Sequence, residues 1–567
     1  MKKTKVFKKL IILALLIASY CFSLPDAYAA SYPNGNKEEI KVINTTEQAL
    51  SFTFSGLTNE PVVHQVLQQL DDMGIKATFF VFEMEMRRYP HLIKEIKEHG
   101  HEIGLAINPR QEDDFVKIKS DITQAMAKLE KDFGIKTTFV KQPFGAVREE
   151  VLRSVVESGY YLIGQSINVI QTKHKDYTSA EQIMPEIFGV YRHSLARGEI
   201  VHFRMDYYTN DNVLAELIKA VKKQKIDNIA YATPFDNPQD NPENDSWYVI
   251  KPVGEVLFNE KYTWKYPLDP ADMPEYVRKE GRFVEDFSVD DMEAASKYYI
   301  GTPTVNLENR MVGFVRKDVV RLDDVGKVTT DENVVFLTFD DWGTDVAINK
   351  LLYVMRKHNI KCTFFIITRT VEANKNLLRA IAVEGHEIGS HSHMHSPMAV
   401  LDSRGRKYVA TQSPEEMLED YTTANKILRS IVGDVVINGK PAFGRYFRPP
   451  TMAVSKKGFE ALFNSGIEYI VGGSESSGDY ESASVKDLVH KLQGGIFDMK
   501  GNVQKGAIVV MHMSDTSVYT AMTIDLFFTA NEVKADDDPS KFKVGVFRDY
   551  LTDGYAQTVK KQTTRTF

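Results

Sequence analysis

The chain has 567 residues, 43% of them hydrophobic and 26% charged, with a formal net charge of −7. That length suggests two or three domains, and that composition excludes a chain disordered throughout, a collagen-like fibre and a multi-span membrane protein. The acidic balance argues against nucleic acid as a partner, because phosphate recognition needs a basic face, and two cysteines exclude a disulfide framework.

The first predicted element is an export signal. Lys2, Lys3, Lys5, Lys8 and Lys9 form a basic start, and Leu10 to Leu24 is uncharged and mostly apolar. These about 15 residues fall short of the roughly 20 that span a bilayer. Pro25 breaks the run, and Ala27-Tyr28-Ala29 has small residues at both ends of a cleavage site. The pattern predicts a signal peptide over 1–29 and a secreted or cell-wall-associated chain, without a transmembrane anchor after cleavage. Cys362 is then the one remaining cysteine.

Beyond the signal the chain repeats. Ile75-Lys76-Ala77-Thr78-Phe79-Phe80 returns as Ile360-Lys361-Cys362-Thr363-Phe364-Phe365, and Gly100-His101-Glu102-Ile103-Gly104 as Gly385-His386-Glu387-Ile388-Gly389. Thr53-Phe54 and Thr338-Phe339 share the same offset of 285. So long a period means duplicated domains, not a solenoid. The expected organisation is a first copy over 30–232, a partly ordered connector over 233–330, and a second copy with a C-terminal tail over 331–567. Pro234, Pro238 and Pro242, with Asn237, Asn241 and Asn244, mark the loop-rich start of the connector.

In the second copy, Val334–Phe339 reads as a buried strand. A helix follows with Ile348, Leu351, Leu352 and Met355 on one face. The strand Cys362–Ile367, a helix around Leu377–Val383 and Glu387-Ile388-Gly389 come next, and Tyr469–Val471 and Ala507–Met511 are later strands. This rhythm predicts an α/β fold with a parallel sheet, doubly wound or barrel-like, whose chemistry sits where strands end.

Four groups of residues at such ends carry chemistry. Asp340 and Asp341 close a strand. Two adjacent carboxylates repel, and a metal resolves the conflict by taking one as ligand and leaving the other as base. His391 and His395 are four apart, so a helical turn would face both imidazoles one way, and two imidazoles with one carboxylate leave positions open on a divalent ion. Arg448, before Pro449-Pro450, is a fixed cation able to orient a carboxylate. His512 ends a buried strand, a place suited to a general acid. Alone, each also fits a structural role: a solvated acidic pair, a surface histidine cluster, an exposed turn arginine, a core histidine.

In order and spacing the four together resemble the NodB-homology polysaccharide deacetylases, carbohydrate esterase family four. The matching segments are Thr338-Phe339-Asp340-Asp341-Trp342, His391-Ser392-His393-Met394-His395, Arg448-Pro449-Pro450-Thr451, Asp479-Tyr480 and Val510-Met511-His512. The resemblance implies two distorted (β/α) barrels, the first degenerate, and a metal-dependent N-deacetylase of an acetylated polysaccharide. It implies Asp341, His391 and His395 as metal ligands, the metal usually zinc with cobalt as an alternative. Asp340 becomes general base, Arg448 its orienting partner, His512 general acid and Asp479 the residue that tunes His512. Pro450, Thr451, Trp342, Tyr480 and Val510 become substrate contacts. Trp342, Thr451, Tyr480 and Ser476 depart from the family's usual glycine, aromatic, tryptophan and aspartate, so the substrate groove is where this chain is least typical.

The first copy lacks the ligand set. Ser55 and Gly56 stand for Asp340 and Asp341, Ala106 and Arg110 for His391 and His395, Lys141 for Arg448, and Arg204 for His512. A structural partner or a glycan-binding remnant are its two readings. For the whole chain, an O-acetyl glycan esterase and a non-catalytic carbohydrate-binding protein remain beside the N-deacetylase, since the motifs do not separate amide from ester.

Overall fold

Two short runs, Ala49–Ser55 and Val334–Asp341, are buried on both faces of the pleat along almost their whole length, Ser51, Thr53 and Thr338 included. Such runs belong in parallel sheets covered on both sides. The computed structural model describes residues 38–189, 192–233, 237–278, 295–301, 311–322, 325–552 and 554–558. The expected signal, 1–29, lies outside the described residues.

The fold is of the expected α/β class, with two curled parallel sheets and flanking helices. The chain divides into two compact units. One is the described part of Met1–Ile40 with Gly104–Gly164; the other is Lys41–Ile103 with the described parts of Gln165–Phe567. In the first, Phe139–Lys141 lies parallel between residues 105–106 and Tyr161–Leu162. Its helix Phe115–Phe133 is capped by the Asp114 carboxylate, which accepts from Lys117 N, and ends at Gly134 in the left-handed region (φ 61°).

In the second unit, Ala49–Ser55 runs parallel between Thr78–Phe82 and Ile200–Arg204, and Val334–Asp341 between Thr363–Ile366 and Ala507–His512. The registers repeat at the offset of the sequence. Thr53 opposite Thr78 and Phe54 opposite Phe79 become Thr338 opposite Thr363 and Phe339 opposite Phe364. Ser55 opposite Arg204 becomes Asp340 opposite His512. The second sheet continues through Glu387–Ser390, Phe443–Phe447 and Tyr469–Val471. It stays open, with Glu475–Ser476 at one edge and Tyr299–Ile300 at the other.

The shared Gly-His-Glu-Ile-Gly segment is framework. Ala77 N–H donates to His101 Nδ1 (3.3 Å), and Cys362 N–H to His386 Nδ1 (3.2 Å). Thr78 and Thr363 donate through Oγ1 to Glu102 (2.6 Å) and Glu387 (2.7 Å). Each glutamate also accepts from the backbone of a later segment, Gly254 N in the first copy and Phe547 and Arg548 N in the second. Those segments follow two-residue strands, Val249–Ile250 and Lys543–Val544, that pair with the starts of the two central strands. The described connector is therefore partly sheet: Val249–Ile250 joins the first copy, and Tyr299–Ile300 pairs with Tyr469–Val471 of the second.

The core of the second copy packs as its pattern predicts. Helix Asp345–Lys357 buries Ile348, Leu351, Leu352 and Met355, and Phe339 stacks on Phe364 at 5.2 Å. Two strands run further than their apolar runs suggest: Val334–Phe339 extends to Asp341, and Ala507–Met511 to His512. The ladder thus carries Asp340, Asp341 and His512 to the sheet's carboxyl edge. Among the described residues no helix is long and apolar enough to cross a membrane.

Candidate active site

Strand register brings the first elements of the site together. Asp340 lies opposite His512 on one side and Phe365 on the other. A cavity of about 570 Å³ opens above them, and Asp340, Asp341, His391, His395 and His512 all line it.

Asp340 is held from behind. Arg448 is fully buried, and its Nη1 donates to Asp340 Oδ1 (2.7 Å) and Thr338 Oγ1 (2.6 Å). Its Nη2 and Nε donate to the carbonyls of Gly472 (2.9 Å) and Val471 (3.3 Å). The guanidinium also lies over the Phe365 ring at 4.2 Å. Such a cation fixes one carboxylate oxygen and leaves Oδ2 for the cavity, where it stands 3.9 Å from His391 Nε2.

One ligand atom from each of Asp341, His391 and His395 lies within 4.8 Å of the others. Asp341 Oδ1 is 3.8 Å from His391 Nε2 and 3.7 Å from His395 Nε2. His391 Nδ1–H donates to the Arg448 carbonyl (2.7 Å), so its Nε2 carries the lone pair toward Asp341. One carboxylate and two imidazoles, one with its tautomer already set, fit a divalent cation with open positions.

The expected helical turn under the two histidines is absent. Residues 391–395 form an irregular loop, with Ser392 at φ 69° and His395 at φ 59°. Its cohesion comes from side chains. Ser392 Oγ accepts from His395 N (2.8 Å), and Asp420, on the helix Pro414–Val432, accepts from His393 N (3.2 Å) and Met394 N (2.9 Å). The imidazoles still approach to 4.9 Å between ring centres. His393 points elsewhere and bonds Thr368 Oγ1 (3.0 Å). Asp420 has no signal in the sequence, since it acts through two backbone groups some 26 residues away.

Strain concentrates here. Among the described residues, seven non-glycine positions have positive φ, and five are at this site: Asp341, Ser392, His395, Thr451 and Met452. Each costs on the order of 1–3 kcal/mol and persists where the surroundings over-determine it, as at ligand clamps and active sites.

His512 sits across the cavity. Its Nδ1 bonds Asp479 Oδ1 (2.8 Å), and its backbone N–H donates to Asp479 Oδ2 (2.9 Å). Asp479 is buried and also accepts from Thr520 Oγ1 (2.8 Å). Burial of the imidazole opposes its charge. The bond to Asp479 and the charges of Asp340, Asp479 and Asp341 outweigh it and raise the pKa above the usual histidine value. Tyr480 stands edge-on to the His512 ring at 4.9 Å.

Of the expected substrate contacts, Thr451, Tyr480 and Val510 line the cavity, together with Ser476. Trp342 and Pro450 do not. Trp342 packs against the apolar cluster beneath the sheet, and Pro450 is buried at the start of a short 3₁₀ turn, so Pro449 and Met452 take part in the lining. Glu475 and Ser514 also line it, and the motifs singled out neither.

The equivalent place in the first copy is filled. A Cβ built on Gly56 would lie 2.4 Å from Asp206 Oδ1, so the Asp206 carboxylate occupies the space where Asp341 has its side chain in the second copy. Arg204 is paired to that carboxylate at 2.8 Å. His202, the counterpart of Val510, turns inward and bonds Ser55 Oγ (3.2 Å) and Thr53 Oγ1 (3.1 Å). Lys141 is buried and donates to the Gly164 carbonyl (2.8 Å), and burial pushes its pKa down to about 7.

Comparison with known proteins gives the following. The family model described as polysaccharide deacetylase matches residues 43–163 and 327–470. His512 and Asp479 lie beyond the second match. The peptidoglycan-N-acetylglucosamine deacetylase PgdA of Listeria monocytogenes is 29% identical over 210 residues, 37% of this chain and 38% of that protein. The chain therefore spans about two-fifths of that relative's length. A chitooligosaccharide deacetylase of Azorhizobium caulinodans is 25% identical over 191 residues, 34% of this chain and 79% of that one. Among solved structures, a family 4 acetyl xylan esterase from Clostridium thermocellum with a cobalt ion is 21% identical, with a TM-score of 0.30 over 38% of this chain and 90% of that one.

Proposed function

This chain belongs to the polysaccharide deacetylase family, with two copies of its domain and the first degenerate, and from that premise we propose that the second copy is a metal-dependent N-deacetylase. Its substrate is an amino-sugar polysaccharide outside the cell or in the cell wall. One observation carries the reading: a single cavity holds a carboxylate–imidazole–imidazole donor set beside two proton-transfer groups, each fixed by its own buried partner.

Asp341, His391 and His395 would hold the metal, zinc being the ordinary occupant of such nitrogen and oxygen donors. When bound, the ion supplies Lewis acidity toward water and the acetamide carbonyl. Asp340 takes the proton of the attacking water through Oδ2, while Arg448 keeps Oδ1 occupied and the carboxylate oriented. The backbone N–H of Thr451 serves the developing oxyanion; loss of one such donor costs about 10²–10³ in rate. His512, held protonated by Asp479, gives its proton to the leaving amine as the C–N bond breaks. Val510 borders the acetyl methyl. Acetate and a free amine result, and no covalent enzyme intermediate is formed.

The test is acetate release from peptidoglycan, chitin oligomers, poly-N-acetylglucosamine and acetylated xylan, with zinc or cobalt supplied. Release from an N-acetyl glycan, lost on chelation and regained with metal, is the expected result. Release from acetylated xylan alone would replace this reading with an O-acetyl esterase. No release from any, with metal bound, would leave a carbohydrate-binding protein.

A further inference from the structure

The two copies settle one lysine differently. In the first, Lys76 runs across Gly100, its Cε 3.8 Å from where a Cβ would stand, and its Nζ donates to the His99 carbonyl (2.6 Å) and to Asp71 (2.9 Å). In the second, Lys361 runs across Gly385 in the same way, with Cε at 3.3 Å and Nζ at 3.9 Å. Its acidic partner has gone. Arg356 stands where the first copy has Asp71, and Asp245 (2.7 Å) and Glu384 (3.0 Å) hold it. Among the described residues the Lys361 ammonium is left with neither a hydrogen bond nor an ion pair, although the residue is half-buried.

A second cation meets Lys361 there. Arg548 Nη2 donates to the Gly385 carbonyl (2.6 Å), and Arg548 Nη1 is covered yet has no acceptor. The neighbouring imidazole registers both charges: burial does most to lower the His386 pKa, and Lys361, Arg548 and Arg356 lower it further. Lys361, Gly385 and Arg548 line one cavity of about 850 Å³, together with the exposed Lys543. The carboxylates in that lining are engaged. Glu332 accepts from Tyr550 OH (3.3 Å), Glu532 bonds His358 Nδ1 (2.8 Å), and Asp549 pairs with Lys440 (2.9 Å). Lys361 and Gly385 each stand two residues before a strand, Thr363–Ile366 and Glu387–Ser390, and Lys543–Val544 pairs with the start of the central strand. The cavity therefore lies at the amino end of the sheet, and Asp340 and His512 lie at its carboxyl end.

We propose that this cavity is a second ligand site, for a phosphate group carried on a larger molecule. A phosphate brings up to two charges and several acceptor oxygens, so one group can answer a lysine as a point charge and an arginine as a donor at once. A single carboxylate brings half that charge. The volume falls in the range of about 300–1,000 Å³ usual for small-molecule sites, which leaves room for an organic body beside the phosphate. A phosphorylated small molecule and a segment of a phosphate-bearing polymer share this chemistry, and size separates them.

Four probes are titrated calorimetrically at low salt: inorganic phosphate, glycerol 3-phosphate, a glycerol-phosphate hexamer and malonate. The receptors are the metal-loaded chain freed of excess metal, Lys361→Gln, Lys361→Arg and Lys543→Gln. The wild-type chain should bind the organic phosphates more tightly than inorganic phosphate or malonate. Lys361→Gln should weaken that binding about fivefold, the scale of one half-exposed charge pair, and Lys361→Arg should keep most of it. Lys543→Gln, at an exposed position where folding is not at stake, should weaken it less, and added salt should weaken it throughout. Tighter binding of the hexamer than of glycerol 3-phosphate assigns a polymer, and the reverse order assigns a small phosphorylated ligand. Phosphate held by the metal centre would be indifferent to Lys361, so equal affinity in wild type and Lys361→Gln overturns the site. So does failure of the wild-type chain to bind either organic phosphate, or inorganic phosphate or malonate bound as tightly as they are. Melting curves of the variants confirm folding.

Discussion

Replacing Arg448 by methionine removes a cation that sits wholly inside the protein and leaves the Asp340 carboxylate buried without its partner. The change also deletes donors to Thr338 Oγ1, Gly472 O and Val471 O. Breaking one side of a buried ion pair costs about 3–5 kcal/mol, because the stranded charge keeps its desolvation penalty. Asp340→Asn alone strands the guanidinium and should also destabilise, whereas the double variant leaves no charge behind. A double-mutant cycle on the pair should therefore show a coupling of about 1.5–3 kcal/mol, beyond the roughly 0.5 kcal/mol within which independent sites add. The assay is urea unfolding of the four proteins in the absence of metal, read by tryptophan fluorescence and by far-ultraviolet circular dichroism. Additivity within about 0.5 kcal/mol would refute the claim that Arg448 acts on Asp340, and would return it to a purely structural place at its proline turn.

Three further outcomes are expected. Asp479→Asn removes the hydrogen-bond partner that does most to raise the His512 pKa; if His512 is the general acid proposed, the raised value keeps it protonated to higher pH, so the basic limb of the kcat/KM profile should move to lower pH, and an unmoved limb would separate Asp479 from His512. Burial lowers the His101 pKa from 6.5 to about 4; between those values the unfolded chain binds the extra proton, so folding stability should fall by about 3 kcal/mol on acidification across that window, and His101→Gln should flatten that part of the curve. Arg197 is buried, donates to Tyr248 OH (2.8 Å), Thr46 O (2.7 Å) and Asn349 Oδ1 (3.1 Å), and Tyr248 in turn bonds Asp345 at the start of the helix after Asp341. Arg197→Met should cost about 3 kcal/mol and lower kcat more than it raises KM; unchanged stability would make the duplicated copy a passive neighbour.

What the sequence made legible follows from how each feature is encoded. The duplicated framework was readable because His101 and Glu102, like His386 and Glu387, bond groups close to them in the repeat, so one offset carries the whole arrangement. Asp340, Asp341 and His512 were placed by strand periodicity, which survives translation into register. The backbone of the histidine loop was not readable: spacing of four suggests a helix, while Asp420 and Ser392 impose left-handed positions that no residue type there announces. The strands of the connector escaped notice because two residues have no periodicity to detect. Trp342 and Pro450 turn from the cavity for packing reasons that motif position does not encode. The filling of the first site by Asp206 was likewise invisible, since the alignment showed what had gone from Gly56 and not what had moved in.

The central claim is that Asp340 and Asp341, neighbours in one strand, do different work: one moves a proton and the other holds a metal. The direct measurement is metal content and acetate release in parallel for Asp340→Asn and Asp341→Asn beside the wild-type chain. The expected result is that Asp340→Asn binds one equivalent of zinc yet releases acetate at a rate lower by about 10² or more, while Asp341→Asn loses both. Zinc lost from Asp340→Asn and kept by Asp341→Asn, or acetate release undiminished in Asp340→Asn, would contradict it.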